Sequence, residues 1–473
     1  MGLMPLIVVS VTVLVVMASV AFRRNHLAAA GTTVAGLLVA LLSVLCAGHA
    51  APRTVTSLFA VDRFGLFFTA LVLFSSLAVT VLAYGYLKKR SGYREEFYML
   101  LLMATDGAVF LVSSTHFASF FFGLELLTVS LYGMIAYTRT EKRSLEASFK
   151  YLVLAAVSTA FLLFGMALVY AELGTMEFVS IFHMLLEDPS PKPVLWAAAG
   201  LIVVGAGFKM ALVPFHMWTP DVYEGAPAPV TAYVATVSKG AVTAVLLRLY
   251  LLSGVGFPDT LVSVLAAVTV ASMFVGNLLA LLQDNIKRIL AYSSIAHVGY
   301  LMVAFLAGGE FAAEAVTYYL VAYVVTTLGA FGAVSVLSTE TGEPTHLAEY
   351  RGLFWKRPFL AGILTTMLLS LAGIPLTAGF IGKFYLVTAG VDMGAWWLLA
   401  FLVLNSAIGL YYYLRVVASM YESEARDLPS PPLPPLALGG GIVLAAVALV
   451  LVWFGVYPGF LIRVIHENIS QFV

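Results

Sequence analysis

The sequence predicts an all-α integral membrane protein of about 14 transmembrane helices, and three observations carry that prediction. Of 473 residues, 61% are hydrophobic and only 11% charged, whereas a soluble domain carries about 25% charged residues; mean hydropathy is +0.98. The apolar runs are long and continuous, unlike the roughly ten-residue alternating strands of an outer-membrane barrel. Lysine and arginine collect in alternate loops, as in multi-pass proteins.

Windows of about 20 apolar residues place the spans at 3–22, 27–47, 61–87, 97–114, 116–137, 147–171, 194–217, 228–253, 260–282, 287–307, 312–338, 358–388, 394–420 and 436–456. The first is read as a span although Ala18-Ser19-Val20-Ala21 imitates a signal cleavage site, because no basic residue precedes it and Arg23 and Arg24 follow. Span seven carries Lys209 and breaks at Pro214; a polar, proline-rich turn from Trp218 to Pro229 leads into span eight, with Lys239 near its middle. Span twelve breaks around Gly373-Ile374-Pro375 and carries Lys383 beyond the break. Pro429–Pro435 reads as a rigid linker into the last span, and the tail from Tyr457 is too short and polar to cross.

Arg23/Arg24, Lys88/Lys89/Arg90/Arg94, Arg139/Lys142/Arg143, Lys287/Arg288 and Arg351/Lys356/Arg357 fall on one side. The opposite loops hold Arg53, Lys192, Arg248 and Arg463, with an acidic segment at 172–192. The bias places the basic loops in the cytoplasm and both termini on the outer, periplasmic side. Two interrupted spans five apart, each bearing a lysine, suggest inverted repeats: 97–253 (spans four to eight) and 260–420 (spans nine to thirteen), within one polytopic domain, 1–473, that closes with 429–473. Broken backbone must line a polar or protein-covered cavity, because lipid cannot satisfy freed amides and carbonyls.

Several function classes are excluded. The net charge is zero, which implies no nucleic acid partner. Cys46 is the single cysteine, ruling out disulfides and cysteine-ligated clusters, and no glycine-rich nucleotide loop follows a strand. Four ionisable residues fall well inside spans: Glu125, Lys209, Lys239 and Lys383. Each costs roughly 2.5–3.5 kcal/mol at a helix centre, so such groups face a hydrated interior and one another. The expected pair is Glu125 with Lys209; making and breaking it would load or unload a neighbouring lysine. The alternative is static neutralisation. His297 is placed to bridge Lys239 and Lys383 through water, or to pack. His216, past the Pro214 break, reads equally as a gate or as a partner for freed carbonyls. Asp106 tunes the pair or sits in a polar pocket. Tyr300, Tyr318, Tyr319 and Tyr323 offer water-wire hydroxyls, or packing.

The stretch VPFHMWTPDVYEGAPAPVTAYVATVSK (213–239) resembles the signature region of the antiporter-like subunits of respiratory complex I, and its DVYEGAPAPVTAY form is most similar to the N-type branch. FGLELLTVSLYGMIAY (122–137), QDNIKRILAYSSIAHVGY (283–300) and GIPLTAGFIGKFYL (373–386) resemble further signatures of that family. The resemblance implies a proton-channel subunit with no redox centre of its own, its functional glutamate at Glu125 and its lysines at Lys209, Lys239 and Lys383. It implies a bacterial or archaeal inner-membrane location and partners among the other membrane-arm subunits, with FMN, iron–sulfur clusters and quinone held by partner subunits. A multisubunit cation/proton antiporter, a membrane hydrogenase, a stand-alone secondary transporter and a purely structural subunit are the competing readings.

Overall fold

A computed structural model describes residues 2–49, 51, 53–90, 92–188, 190, 192–253, 258–340, 342–392, 394–422 and 437–470. Its helices follow from apolar length. In order they are α1 (Met4–Phe22), α2 (His26–Gly48), α3 (Arg63–Lys88), α4 (Glu96–Val112), α5 (Phe117–Ile135), α6 (Lys142–Leu173), α7 (Phe178–Glu187), α8 (Pro193–Met210), α9 (Trp218–Gly225) and α10 (Ala228–Tyr233). They continue with α11 (Lys239–Ser253), α12 (Asp259–Leu281), α13 (Ile286–Ala307), α14 (Gly309–Leu337), α15 (Leu353–Lys356), α16 (Pro358–Ala372), α17 (Ala378–Asp392), α18 (Trp396–Tyr421), α19 (Leu438–Val456) and α20 (Gly459–Ile469). A short antiparallel hairpin, β1 (Arg53–Thr56) with β2 (Phe59–Val61), joins α2 to α3.

Among the described residues, 12 helices are long and apolar enough to cross a membrane, counting Ala228–Ser253 as one. The 17-residue α4 and the two 15-residue halves α16 and α17 occupy the remaining expected spans. The expected linker Pro429–Pro435 lies outside the described residues. The polar tail forms α20, whose Leu461, Ile465 and Ile469 are buried.

Burial sorts the helices. The best 18-residue window of α13 is wholly buried and those of α14 and Ala228–Ser253 are 94% buried, so these three form the centre, while α1, α2 and α6 keep apolar faces outward. Close backbone approach fixes two neighbouring pairs. A Cβ on Gly107 of α4 would lie 2.5 Å from the Leu127 amide nitrogen and 2.8 Å from the Gly123 carbonyl oxygen of α5. A Cβ on Gly276 of α12 would lie 2.6 Å from the Ala296 nitrogen and 2.8 Å from the Tyr292 oxygen of α13. The two contacts share one residue spacing, which is what a repeated unit provides. Because backbone cannot yield as a flexible side chain can, Gly107→Ala is expected to destabilise the fold by about 1–3 kcal/mol, read as a lower melting temperature of the purified assembly.

The structure corrects the sequence reading at four places. Span seven ends at Met210, before Pro214, because Ala211 turns left-handed (φ 62°). The stretch from Trp218 to Gly225, expected as a turn, is helical as α9. The acidic loop 172–192 contains α7, an amphipathic helix that lies too short to cross. Arg248, expected in a loop, is 1% exposed within α11. There it grips Asp62 through both carboxylate oxygens and the Val112 carbonyl, tying together neighbouring ends of α3, α4 and α11.

The basic loops converge at one end. Arg90 pairs with Glu141, Arg143 with Glu224, Lys150 with Asp221, Lys287 with Glu343, and Arg288 with both Asp221 and Glu224. At the other end, His466 of α20 meets Glu314 of α14 at 2.6 Å. The hydrogen bond and charge of Glu314, helped by Glu310 and Glu467, raise the His466 pKa above its ordinary value. A raised folded-state pKa means that this contact is complete below the ordinary histidine value and is lost as pH climbs through the raised one. Amide exchange in α20 is therefore expected to quicken selectively as pH rises across that window.

Candidate functional site

Both interrupted spans end their first halves alike. In α8 the Ala211 and Leu212 amides donate back to the Phe208 and Gly207 carbonyls; in α16 the Gly373 and Ile374 amides donate to Ser370 and Leu369. Each is a left-handed helix stop, with Gly373 at φ 86°, followed within three residues by a proline that cannot continue the helix. Such ends leave carbonyls to satisfy. Trp218 Nε1 donates to Phe208 O at 2.9 Å, and Lys383 Nζ to Ala372 O at 2.9 Å. The breaks thus bring a lysine to each interruption, Lys209 just before the first and Lys383 beyond the second.

The Glu125–Lys209 ion pair is not formed. Lys209 Nζ donates to Thr128 Oγ1 at 2.7 Å, one turn along α5 from Glu125. Glu125 accepts from Thr159 Oγ1 of α6 at 2.8 Å. Each charge has found a hydroxyl donor or acceptor in place of the other.

Directly before Lys239 the helix widens into a π-turn at Val234–Ser238, a distortion frequent at functional sites. Lys239 is 2% exposed, and its Nζ donates to Ser294 Oγ of α13 at 2.5 Å. Tyr323 of α14 donates to the same oxygen at 2.8 Å, and the Tyr223 hydroxyl of α9 lies 3.4 Å from it.

One turn further along α13, His297 has Tyr319 OH 2.6 Å from Nδ1 and Tyr413 OH 3.0 Å from Nε2. Tyr413 also reaches Ser293. After another turn comes Tyr300, whose ring lies 5.2 Å from Lys383 Nζ and whose hydroxyl accepts from Asn277 Nδ2 at 2.8 Å. Lys383 also donates to Ser406 Oγ at 2.8 Å. Ser294, His297 and Tyr300 therefore lie at helical spacing on one face of α13, with Lys239 at one end and Lys383 at the other. No direct hydrogen bond joins the Ser294 group to the His297 group among the described residues, so passage between them requires a bridging water or a side-chain turn.

The structure separates the remaining expected residues from this face. Asp106 of α4 accepts from Ser10 Oγ of α1 at 2.7 Å, and its other oxygen has no hydrogen-bond partner among the described residues. It faces α1. His216 is buried beside the break, where it meets the Pro214 backbone, while Trp218 holds the Phe208 carbonyl. Tyr318 donates to the Phe454 carbonyl at 2.8 Å, an anchoring contact. Ser294, Thr128, Thr159, Tyr413, Asn277 and Ser406 were missed from sequence, because a hydroxyl or amide in a spanning helix reads the same whether it bonds its own backbone or a distant lysine.

The family described as NADH:quinone oxidoreductase/Mrp antiporter, transmembrane, matches residues 114–409. NADH-quinone oxidoreductase subunit N of Ectopseudomonas mendocina (strain ymp) is 50% identical over 98% of this chain and 96% of its own length. Among solved structures, respiratory complex I from Thermus thermophilus with bound aureothin contains a chain 33% identical, covering 97% of this chain and 99% of that one, at a TM-score of 0.82. The Mrp complex from a Dietzia species contains one 21% identical, covering 100% and 97%, at 0.87, which shows a shared fold. With half of its residues shared along nearly its full length, and with the matched region spanning both interrupted helices and the α13 face between them, the chain belongs to the NADH:quinone oxidoreductase/Mrp antiporter family of membrane subunits.

Proposed function

We propose that this antiporter-like subunit of an NADH:quinone oxidoreductase moves protons between Lys239 and Lys383 along the Ser294–His297–Tyr300 face of α13. The observation that carries the reading is the placement of buried Lys239 and half-buried Lys383 at opposite ends of one row of hydroxyl and imidazole groups. Each proton given up by an ammonium is taken by an adjacent acceptor. Imidazole suits the middle position because it can accept at one nitrogen and release from the other. Glu125 and Lys209, held on Thr159 and Thr128, supply a charge pair that is open in this structure; closing it would remove Lys209 from Thr128 and change the field at Lys239.

Energy reaches this chain from redox subunits that hold the FMN, iron–sulfur clusters and quinone, through the other membrane-arm subunits. The convergent basic end faces the cytoplasm of a bacterium or archaeon and both termini lie outside, in keeping with the positive-inside rule. Residues 97–253 and 260–420 act as inverted halves, a division supported by their like helix stops and like glycine contacts.

The test is His297→Gln in the intact complex, reconstituted in liposomes. Glutamine keeps a hydrogen bond to one tyrosine but cannot take up a proton. The expected result is assembled complex with fewer protons moved per electron. An unchanged ratio would remove the α13 face from the pathway and favour a structural role.

A further inference from the structure

Outside the membrane core, three metal-ligating side chains from two helices meet at the end of the molecule opposite the basic cluster. Glu310 and Glu314 stand one turn apart on the first turns of α14, and His466 comes from α20, far along the chain. His466 Nδ1 lies 2.6 Å from Glu314 Oε1 and 3.8 Å from Glu310 Oε1, and one donor atom from each lies within 4.8 Å of the others.

The geometry points to a divalent transition-metal site, of the zinc class, formed by His466, Glu310 and Glu314. Zinc binds imidazole nitrogen at about 2.0–2.1 Å and carboxylate oxygen at about 2.0–2.2 Å, which sets neighbouring donors roughly 3.3 Å apart. The two observed separations bracket that spacing, and the third pair of donors lies within 4.8 Å. Charge argues the same way. Two carboxylates one turn apart on a helix repel, and a histidinium neutralises only one of them, whereas a dication neutralises both. The set is of mixed type, one nitrogen and two oxygens, which suits zinc better than calcium or magnesium. Glu314 is largely buried while the His466 side chain is 60% exposed, so one side stays open to water ligands and to metal exchange.

Occupancy would staple α20 to the outer end of α14. The same helix bears Tyr318 on its next turn, bonded to the end of α19, and then Tyr319 against His297. A bound ion would therefore fix the part of α14 that leads to the proposed relay, although the site itself stands whether or not the relay does.

The experiment uses the detergent-purified complex, stripped with a chelator and titrated with zinc chloride, with bound zinc counted by elemental analysis. The wild type is expected to retain one equivalent more than His466→Ala or Glu314→Gln, or to hold it more tightly by at least the roughly tenfold that even outer-shell losses cost. Affinity should rise with pH as His466 loses its proton. His466→Gln preserves a side-chain hydrogen bond to Glu314, so it stays assembled while losing the metal. Equal stoichiometry and affinity in the wild type and His466→Gln would overturn the site and leave a hydrogen-bonded latch.

Discussion

Lys239→Ala is expected to leave the complex assembled and to lower the number of protons moved per electron. Assembly survives because the change removes a buried ammonium whose placement at a helix centre costs roughly 2.5–3.5 kcal/mol, while Ser294 keeps its bond from Tyr323. Flux falls because the other groups at Ser294 are the Tyr323 and Tyr223 hydroxyls, which hold their protons near neutral pH and do not replace an amine; losing a positioned proton donor typically costs about 100-fold or more. Lys239→Arg sharpens the test. Arginine keeps the positive charge but does not release its proton in proteins, so a charge-only role predicts rescue and proton exchange predicts none. A normal ratio of protons to electrons in the alanine variant would remove Lys239 from the mechanism.

The second large effect concerns stability. Arg248→Met strands the Asp62 carboxylate among α3, α4 and α11, and breaking one partner of a buried pair costs about 3–5 kcal/mol. That is comparable to much of a typical domain's stability, so the yield of assembled complex should collapse. Combining Arg248→Met with Asp62→Asn should restore much of it, because the stranded charge disappears. Asparagine also retains the α3 cap that Asp62 provides to the Gly65 amide at 2.6 Å. Equal yields for the single and double variants would show that the pair's charge is not what the fold depends on.

Much of this protein is legible in its sequence, because the bilayer imposes severe rules. Apolar length marks nearly every spanning helix, and the cost of charge in lipid singles out Lys209, Lys239 and Lys383. The proline and glycine interruptions locate both broken spans, although the first helix stops three residues ahead of Pro214, at Ala211. What composition cannot encode is which side chain a buried charge meets. Glu125 and Lys209 look like partners because they are opposite in sign and equal in depth, yet Thr159 and Thr128 hold them apart. Asp106 looks like their neighbour and faces Ser10 of α1. Arg248 looks like a loop residue because its partner, Asp62, lies 186 positions away.

The sequence by itself determined the membrane class, the order of the helices, the two breaks and the lysines within the spans, since each follows from local length, periodicity and solvation cost. Only the tertiary structure decided that Ser294, His297 and Tyr300 form a single row between two of those lysines, and that His466 meets Glu310 and Glu314. Both depend on how α13, α14, α17, α18 and α20 pack, and hydrogen-bond partners far apart along the chain are chosen by that packing rather than by any periodicity in it.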